Sequence, residues 1–339
     1  MLVSVIIANH NGEKFLPRCL ESIFQEKGDY EVVVIDDGST DQSLTFLKSK
    51  TIQEKRLKLI ALNQNRGAAE ARNIGAQNSQ GKYLFFLDND TKIKRGWLKP
   101  IIKFFHSHPQ ARIAQAKLLK MGTNRFDYAG DYLGPLGFLI ERARSAQDKG
   151  QFDQPEKIFA LKSAAMIVKK TVFEKLDGFD ADYQIFWEDT DFCWRSWLAG
   201  YQVWFLPEII VWHAYGTQEK DQKPYLRHQV YYRGCRNNIA TLIKNLGRKK
   251  LVTILPLNFG CWLVLACLFF LKLDFPKGWA LLKGITWNFW HLPQTWKKRK
   301  KVQQERKISD EELLTLVGAQ KEIGYYLGKA FAYVRGKPF

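Results

Sequence analysis

The sequence predicts an α/β protein: a mostly parallel sheet with helices on both faces, followed by a helical, membrane-associated C-terminal segment. Three observations carry this expectation. Apolar, β-rich runs alternate with helically spaced apolar residues from residue 2 to residue 87. Three of those runs end in polar loops, where ligands bind in open α/β sheets. Residues 251 to 271 then hold no charge over 21 positions, between basic clusters. At about 150 residues per domain, the 339 residues suit one large domain with an appendage, or two modest ones.

The first run, LVSVIIA (2 to 8), closes with Asn9, His10, Asn11 and Gly12. It lacks a basic leader and enters a polar loop, which reads as a buried strand and a cytoplasmic N-terminus rather than a signal peptide. Phe15, Leu16, Cys19, Leu20, Ile23 and Phe24 follow at helical spacing. EVVVI (31 to 35) leads into Asp36, Asp37, Gly38, Ser39, Thr40 and Asp41 and a second helix; RLKLIAL (56 to 62) precedes a helix over about 67 to 77. KYLFFL (82 to 87) ends in Asp88, Asn89 and Asp90. Such near-continuous apolar strands are typical of a parallel sheet covered on both sides.

Residues 121 to 160 are glycine-rich and weakly periodic, and read as a flexible or substrate-shaping excursion from the sheet. AAMIV (164 to 168) resumes the strand pattern, and Glu188, Asp189 and Asp191 open a helix closed by Gly200. YQVWFL and EIIVWH are two further strand-like runs, the second ending at His213. A basic helical stretch (225 to 246) leads to the uncharged segment, where Pro256, Asn258 and Gly260 weaken a bilayer span. Four tryptophans and two lysines in 275 to 296 suit the water–lipid interface, and a basic run, 297 to 301, follows.

Charge and motif exclude several classes. The net charge is +18, of which +15 lies from Gln218 onward, a polarity suited to an anionic membrane face or a nucleic acid. The charge adjoins apolar and tryptophan-rich stretches rather than a DNA or RNA module, so no nucleic acid partner is expected. No GxGxxG or P-loop follows a strand, which removes the main support for a dehydrogenase or an NTPase. Five cysteines without metal spacing argue against a disulfide framework and for a reducing compartment.

Asp88 and Asp90, two residues apart on a strand-end turn, can face one hard cation such as Mg²⁺ or Mn²⁺, and an imidazole from His213 would favour Mn²⁺. Taken alone, either feature is more often a solvated turn or an ordinary strand-end histidine. The acidic helix start at 188 to 191 is a place for a base that deprotonates a hydroxyl, although helix capping explains one or two of its carboxylates. Neighbouring aromatics such as Trp187 are core or an apolar wall that raises the base's pKa.

IIANHNG, IDDGSTD, RGAAEARNIG, FLDND, FWEDTDFCWRSWLAGY and VWHAYG occur in an order that resembles family 2 glycosyltransferases of the GT-A fold over residues 2 to 216. The resemblance looks closest to bacterial rhamnosyltransferase-like members of cell-surface polysaccharide synthesis. It implies an inverting, metal-dependent transfer of a sugar from a nucleotide-diphospho-sugar, such as dTDP-rhamnose or a UDP-sugar, to a hydroxyl of a lipid-linked or cell-surface glycan. On that resemblance Ala8, Asn9, Asn11 and Glu13 cradle the nucleotide, Asp37 meets the base, Arg72 lies near base and phosphates, and Asp88 and Asn89 lie near the ribose and metal. Asp90 and His213 join Asp88 as metal ligands. Asp189 is the base, with Trp187, Glu188 and Asp191 on the acceptor side. Relatives usually carry glycine where this chain has Asp177, which puts the local turn in question.

The implied organisation is a GT-A catalytic domain (1–216), a basic helical connector (217–250), a hydrophobic membrane-associated or re-entrant hairpin (251–296) and a basic helical tail (297–339). The expected location is the cytoplasmic face of the cell membrane, peripheral or hairpin-anchored, where a polyprenyl-diphosphate-linked saccharide would be the acceptor. A sugar nucleotidyltransferase would need a Gly-rich loop after the first strand, where this chain has ANHNGEKF. The other alternative is a basic membrane- or nucleic-acid-binding protein on an inactive GT-A scaffold.

Overall fold

The computed structural model describes residues 1–214 and 224–319, with 325, 326, 328, 329 and 332. The expected boundary at 216 and the end of the basic tail lie outside the described residues. The chain forms two compact units: Met1–Gly130 with Glu141–Ser196 and Tyr201–Thr217, and Asp131–Ile140 with Trp197–Gly200 and Gln218–Phe339.

The first unit opens as the apolar runs predict: β1 (Val3–Asn9), α1 (Leu16–Phe24), β2 (Tyr30–Asp37), α2 (Ser43–Gln53), β3 (Leu57–Leu62), α3 (Ala68–Gln77) and β4 (Tyr83–Asp88). Parallel pairing of β1 with β2 and β4, and of β2 with β3, places the carboxyl ends of β1, β2 and β4 side by side, with Asn9 opposite Asp36 and Ala8 opposite Asp88. All eight residues of β2 are buried, which is why the run is apolar without alternation.

Next come β5 (Thr91–Ile93), α4 (Leu98–Ser107), β6 (Ala111–Lys120), β7 (Phe126–Tyr128), β8 (Asp131–Leu133), β9 (Leu139–Glu141), β10 (Glu156–Lys157), β11 (Ala165–Lys169), α5 (Lys170–Lys175), α6 (Glu188–Leu198) and β12 (Gln202–His213). The large sheet runs β10-β12-β6-β11-β4-β1-β2-β3, with β5 on β12 and β7 on β6. It is mostly parallel, as expected, but β11 lies antiparallel between β4 and β6. The two terminal strand-like runs are one strand, β12, whose register on β6 shifts between Leu206 and Ile210. Pro207 sits at that irregularity, where it has no N–H to give the ladder. The excursion at 121 to 160 carries four short strands, β7, β8, β9 and β10. Asp177 takes φ +56°, a left-handed conformation that an aspartate tolerates better than most residues, so the turn survives without glycine.

The second unit contains β8 and most of β9, then α7 (Pro224–Asn245), α8 (Arg248–Leu271), α9 (Phe275–Trp290), α10 (Leu292–Gln304) and α11 (Asp310–Val317). Its core is Cys235, Ile239, Ile243, Leu265, Ala266, Phe269, Leu281 and Ile285. Gly284 lets α9 lie close on α7: a Cβ there would meet the Tyr232 carbonyl at 2.8 Å. The last carbonyls of α7, which no intrahelical donor can reach, accept from α10: Arg299 Nη1 donates to Ile243 O at 2.6 Å, and Gln303 Nε2 to Lys244 O at 3.1 Å. Pro256 does not divide α8, which runs unbroken to Leu271.

Candidate active site

The site is built on strand ends of the first unit. Asn9 Nδ2 donates to Asp36 Oδ2 at 2.9 Å, and Asn9 Oδ1 accepts from Asn89 Nδ2 at 2.7 Å, so one asparagine ties together the ends of three adjacent strands. The loop after β1 and the loop after β2 lock onto each other. Thr40 N donates to Asn11 Oδ1 at 2.8 Å, Gln42 N to Glu13 Oε2 at 2.9 Å and Glu13 N to Asp41 Oδ2 at 3.0 Å. Asn11 holds a left-handed φ of +53° in doing so. Both oxygens of buried Asp37 accept backbone N–H groups, from Arg66 at 2.7 Å and Gly67 at 2.9 Å. Each Asp37 oxygen keeps a lone pair that these amides leave free.

Asp88, Asp90 and His213 converge although His213 lies more than a hundred residues downstream. The turn through Asp90 enters β5, which pairs antiparallel with the end of β12 and sets Thr91 opposite His213. His213 Nε2 is 3.1 Å from Asp90 Oδ1 and 3.7 Å from Asp88 Oδ2. His213 Nδ1 donates to Asp127 Oδ2 at 2.8 Å, and Asp127 is buried on β7. The donor set fits a divalent cation. One ligand atom from each of the three residues lies within 4.8 Å of the others. Two ligands each about 2.1 Å from one ion lie roughly 3–4 Å apart, and hard oxygens with one imidazole suit Mn²⁺ or Mg²⁺. A carboxylate behind the imidazole is the usual way of orienting such a ligand. Burial works against the imidazolium, but the hydrogen bonds to Asp127 and Asp90 and the charge of Asp88 win, lifting His213 to about 10 without metal. Burial likewise opposes the Asp127 carboxylate, and the His213 hydrogen bond nevertheless holds it below its ordinary value.

Arg72 lies buried in α3 and bridges two carboxylates. Its Nη2 donates to Asp88 Oδ1 at 2.6 Å and its Nη1 to Glu188 Oε1 at 2.9 Å. The helix start at α6 thus connects through one guanidinium to the cation cluster. Asp189 is half-buried; its Oδ2 accepts from Ser163 N at 3.1 Å and its Oδ1 from Thr190 N at 2.7 Å. Burial pushes Asp189 up, against the pull of those two amides and of Arg72 and Lys162. Burial and the adjacent Asp189 charge push Glu188 up to about 8.

The three carboxylates of the acidic helix start occupy different places. Glu188 is 3% exposed and Asp191 0%. Asp191 Oδ2 accepts from Arg195 Nε at 2.8 Å, and Arg195 donates onward to the carbonyls of Leu176 and Gly178, bracing α6 on the preceding turn. Trp187 has φ +70°, after Phe186 at +68° and Gln184 at +60°, a cluster of left-handed non-glycine backbone of the kind found at functional sites. The Gln184 carbonyl accepts from Ala69 N at 3.1 Å, filling one of the open donors at the start of α3. Sequence reading did not single out Asp127, Ser163 or Arg195. Asp127 sits in FDYAGDYLG, which carries no motif, and only its burial against His213 exposes it.

This arrangement is that of a sugar-nucleotide transferase fold, and the family follows directly. The model of glycosyl transferase family 2 matches residues 4–177, so the chain belongs to that family. It is 37% identical over 107 residues to an uncharacterized glycosyltransferase of Haemophilus influenzae, covering 30% of this chain and 42% of the relative. It is 34% identical over 104 residues to the putative teichuronic acid biosynthesis glycosyltransferase TuaG of Bacillus subtilis, covering 30% and 41%. These matches span less than half the length of either relative. A structure of GalNAc-T7 with UDP, GalNAc and Mn²⁺ superposes with a TM-score of 0.63 at 18% identity, covering 97% of this chain and 57% of that one, a likeness of fold.

Proposed function

We propose that the protein is an inverting glycosyltransferase (EC 2.4) that moves a sugar from a nucleotide-diphospho-sugar to a hydroxyl of a lipid-linked glycan destined for the cell surface. The observation that carries the reading is the convergence of Asp88, Asp90 and His213, with Arg72 joining Asp88 to Glu188, the chain neighbour of Asp189. The GalNAc-T7 structure holds UDP and Mn²⁺, which puts UDP-sugars first among donors, with dTDP-rhamnose next. TuaG is named for teichuronic acid biosynthesis, which favours a surface-polymer acceptor. The basic, apolar second unit supports an acceptor at the cytoplasmic face of the membrane.

In this reading the loops fixed by Asn9, Asn11, Glu13 and Asp37, with Ala8 at the strand end, hold the nucleotide, and Asn89 keeps Asn9 in register. A divalent ion held by Asp88, Asp90 and His213 would supply positive charge against the departing diphosphate. Asp189 accepts the proton of the acceptor hydroxyl as its oxygen attacks the anomeric carbon and the nucleoside diphosphate leaves from the opposite face. Its raised pKa strengthens it as a base. Trp187, in its constrained backbone, borders the acceptor, while Glu188 and Asp191 hold the base's helix from inside.

The test offers a panel of sugar nucleotides to the purified chain with Mn²⁺ or Mg²⁺ and reads nucleoside diphosphate release. One donor is expected to be turned over in a metal-dependent way. Asp189→Asn should retain donor binding by thermal shift and lose on the order of 10²–10⁴-fold in release. If no donor binds with either metal, the proposal is wrong.

A further inference from the structure

The outer face of the second unit is apolar where a soluble protein's is polar. α8 buries Leu251, Ile254, Asn258, Leu265, Ala266 and Phe269, and the stripe on its other side, through Val252, Pro256, Leu257, Val264, Cys267 and Leu271, is exposed and carries no charge. α8 gives Leu265, Ala266 and Phe269 to the core, but most of its apolar length is not enclosed by this unit. The stripe continues around the turn into α9: Leu271 is 79% exposed, Leu273 74% and Trp279 56%. Phe270 joins the two helices there, with its ring 5.7 Å from that of Trp279. A patch of this size needs a cover.

A span does not satisfy it. Midway along α8, Asn258 Nδ2 donates to Leu136 O at 2.9 Å and Trp262 Nε1 to Asn238 Oδ1 at 2.9 Å. A membrane-crossing α8 would carry its neighbour α7 into hydrocarbon, and α7 brings Arg236, Asn237, Asn238 and Lys244, which are costly there. The 16 residues of α9 measure about 24 Å, short of a hydrocarbon core of about 30 Å, and hold Lys277 and Lys283.

We infer that α8 and α9 lie in the plane of an anionic lipid surface, immersing the stripe from Val252 to Trp279 without crossing the bilayer. Charge selects lipid over a second copy of the chain. Arg248, Lys249 and Lys250 stand at one end of α8, and Lys297, Lys298, Lys300 and Lys301 lie on α10 beyond α9. Two such faces would repel each other, whereas phosphate headgroups attract both clusters. Trp279, Trp290 and Trp296 are exposed, and tryptophan favours the headgroup level. The inference deepens the transferase reading by naming the surface that delivers a lipid-linked acceptor, and it rests on that reading only for its purpose.

The full chain is floated with vesicles of neutral phosphatidylcholine and with vesicles containing roughly one third phosphatidylglycerol. Anionic vesicles should be bound at least about tenfold more tightly. Lys297→Gln with Lys300→Gln should erase most of that preference, and Val264→Glu with Leu271→Glu should abolish flotation while the circular dichroism melt is kept. Nitroxides attached in place of Leu257, Val264 and Leu271 should report one shallow depth of about 5–10 Å. A depth gradient along α8 would mean a span and overturn the proposal. So would indifference to vesicles combined with dimerisation, which would make a second copy the occupant. Donor turnover, assayed on the same preparations, separates the two readings: turnover without vesicle binding sinks the surface alone, and vesicle binding without turnover sinks the transferase alone.

Discussion

Arg72 joins the two halves of the site through a single side chain. Burial disfavours its guanidinium charge, and Asp88 and Glu188 offset that cost. Removing one partner of a buried pair leaves the others uncompensated and costs about 3–5 kcal/mol, far more than the pair itself stabilises. Arg72→Met is therefore expected to lower the unfolding free energy by that amount. Glu188→Gln keeps the shape and the acceptor oxygen and removes a charge that burial already disfavours, so it should cost about 1 kcal/mol or less. Urea unfolding with matched slopes decides this, and equal losses for the two variants would show that Arg72 carries no structural charge balance.

Elements far apart in sequence make the cation cluster, and this is where sequence reading reaches its limit. The strand–loop–helix repeats through residue 90 were legible because β1, β2 and β4 are buried on both faces and so read as apolar runs. The motif residues of their loops were legible for the same reason: a strand end fixes where they fall. β6 was not, although it is central, because ARIAQAKLLK mixes polar residues into a strand whose Gln115 and Lys117 are buried with partners of their own. β7 was illegible at three residues, and with it Asp127. Only the pairing of β7 with β6, and of β6 with β12, brings that carboxylate to His213. Asp127→Asn keeps a hydrogen-bond acceptor on the strand but loses the charge behind the imidazole. Mn²⁺ affinity by isothermal titration should fall about 10–100-fold with little change in fold. An unchanged affinity would mean that β7 plays no part in the cluster.

For the molecule as a whole, a cation bound as proposed would compete with protons for one imidazole, and the sign of that competition is fixed by geometry. Without metal, His213 is held near 10, above its unfolded value of about 6.5. Its imidazolium therefore stabilises the folded protein fully below about pH 6.5, and this contribution is lost as pH rises through 10. The Asp127 carboxylate has the opposite shift, so its contribution is present at neutral pH and lost only in acid. A cation needs the neutral imidazole, so binding must expel the proton that the three carboxylates hold there. Metal-free melts should fall from pH 6.5 to 8.5, the upward shift in Tm caused by Mn²⁺ should grow over the same interval, and about one proton should be released per ion near pH 7.5. His213→Gln should flatten both slopes, because no proton is then bound for the cation to displace. Proton release that persists in His213→Gln, or a metal-induced shift that shrinks with rising pH, would place the cation on other ligands and separate it from the strand ends that carry Asp88 and Asp90.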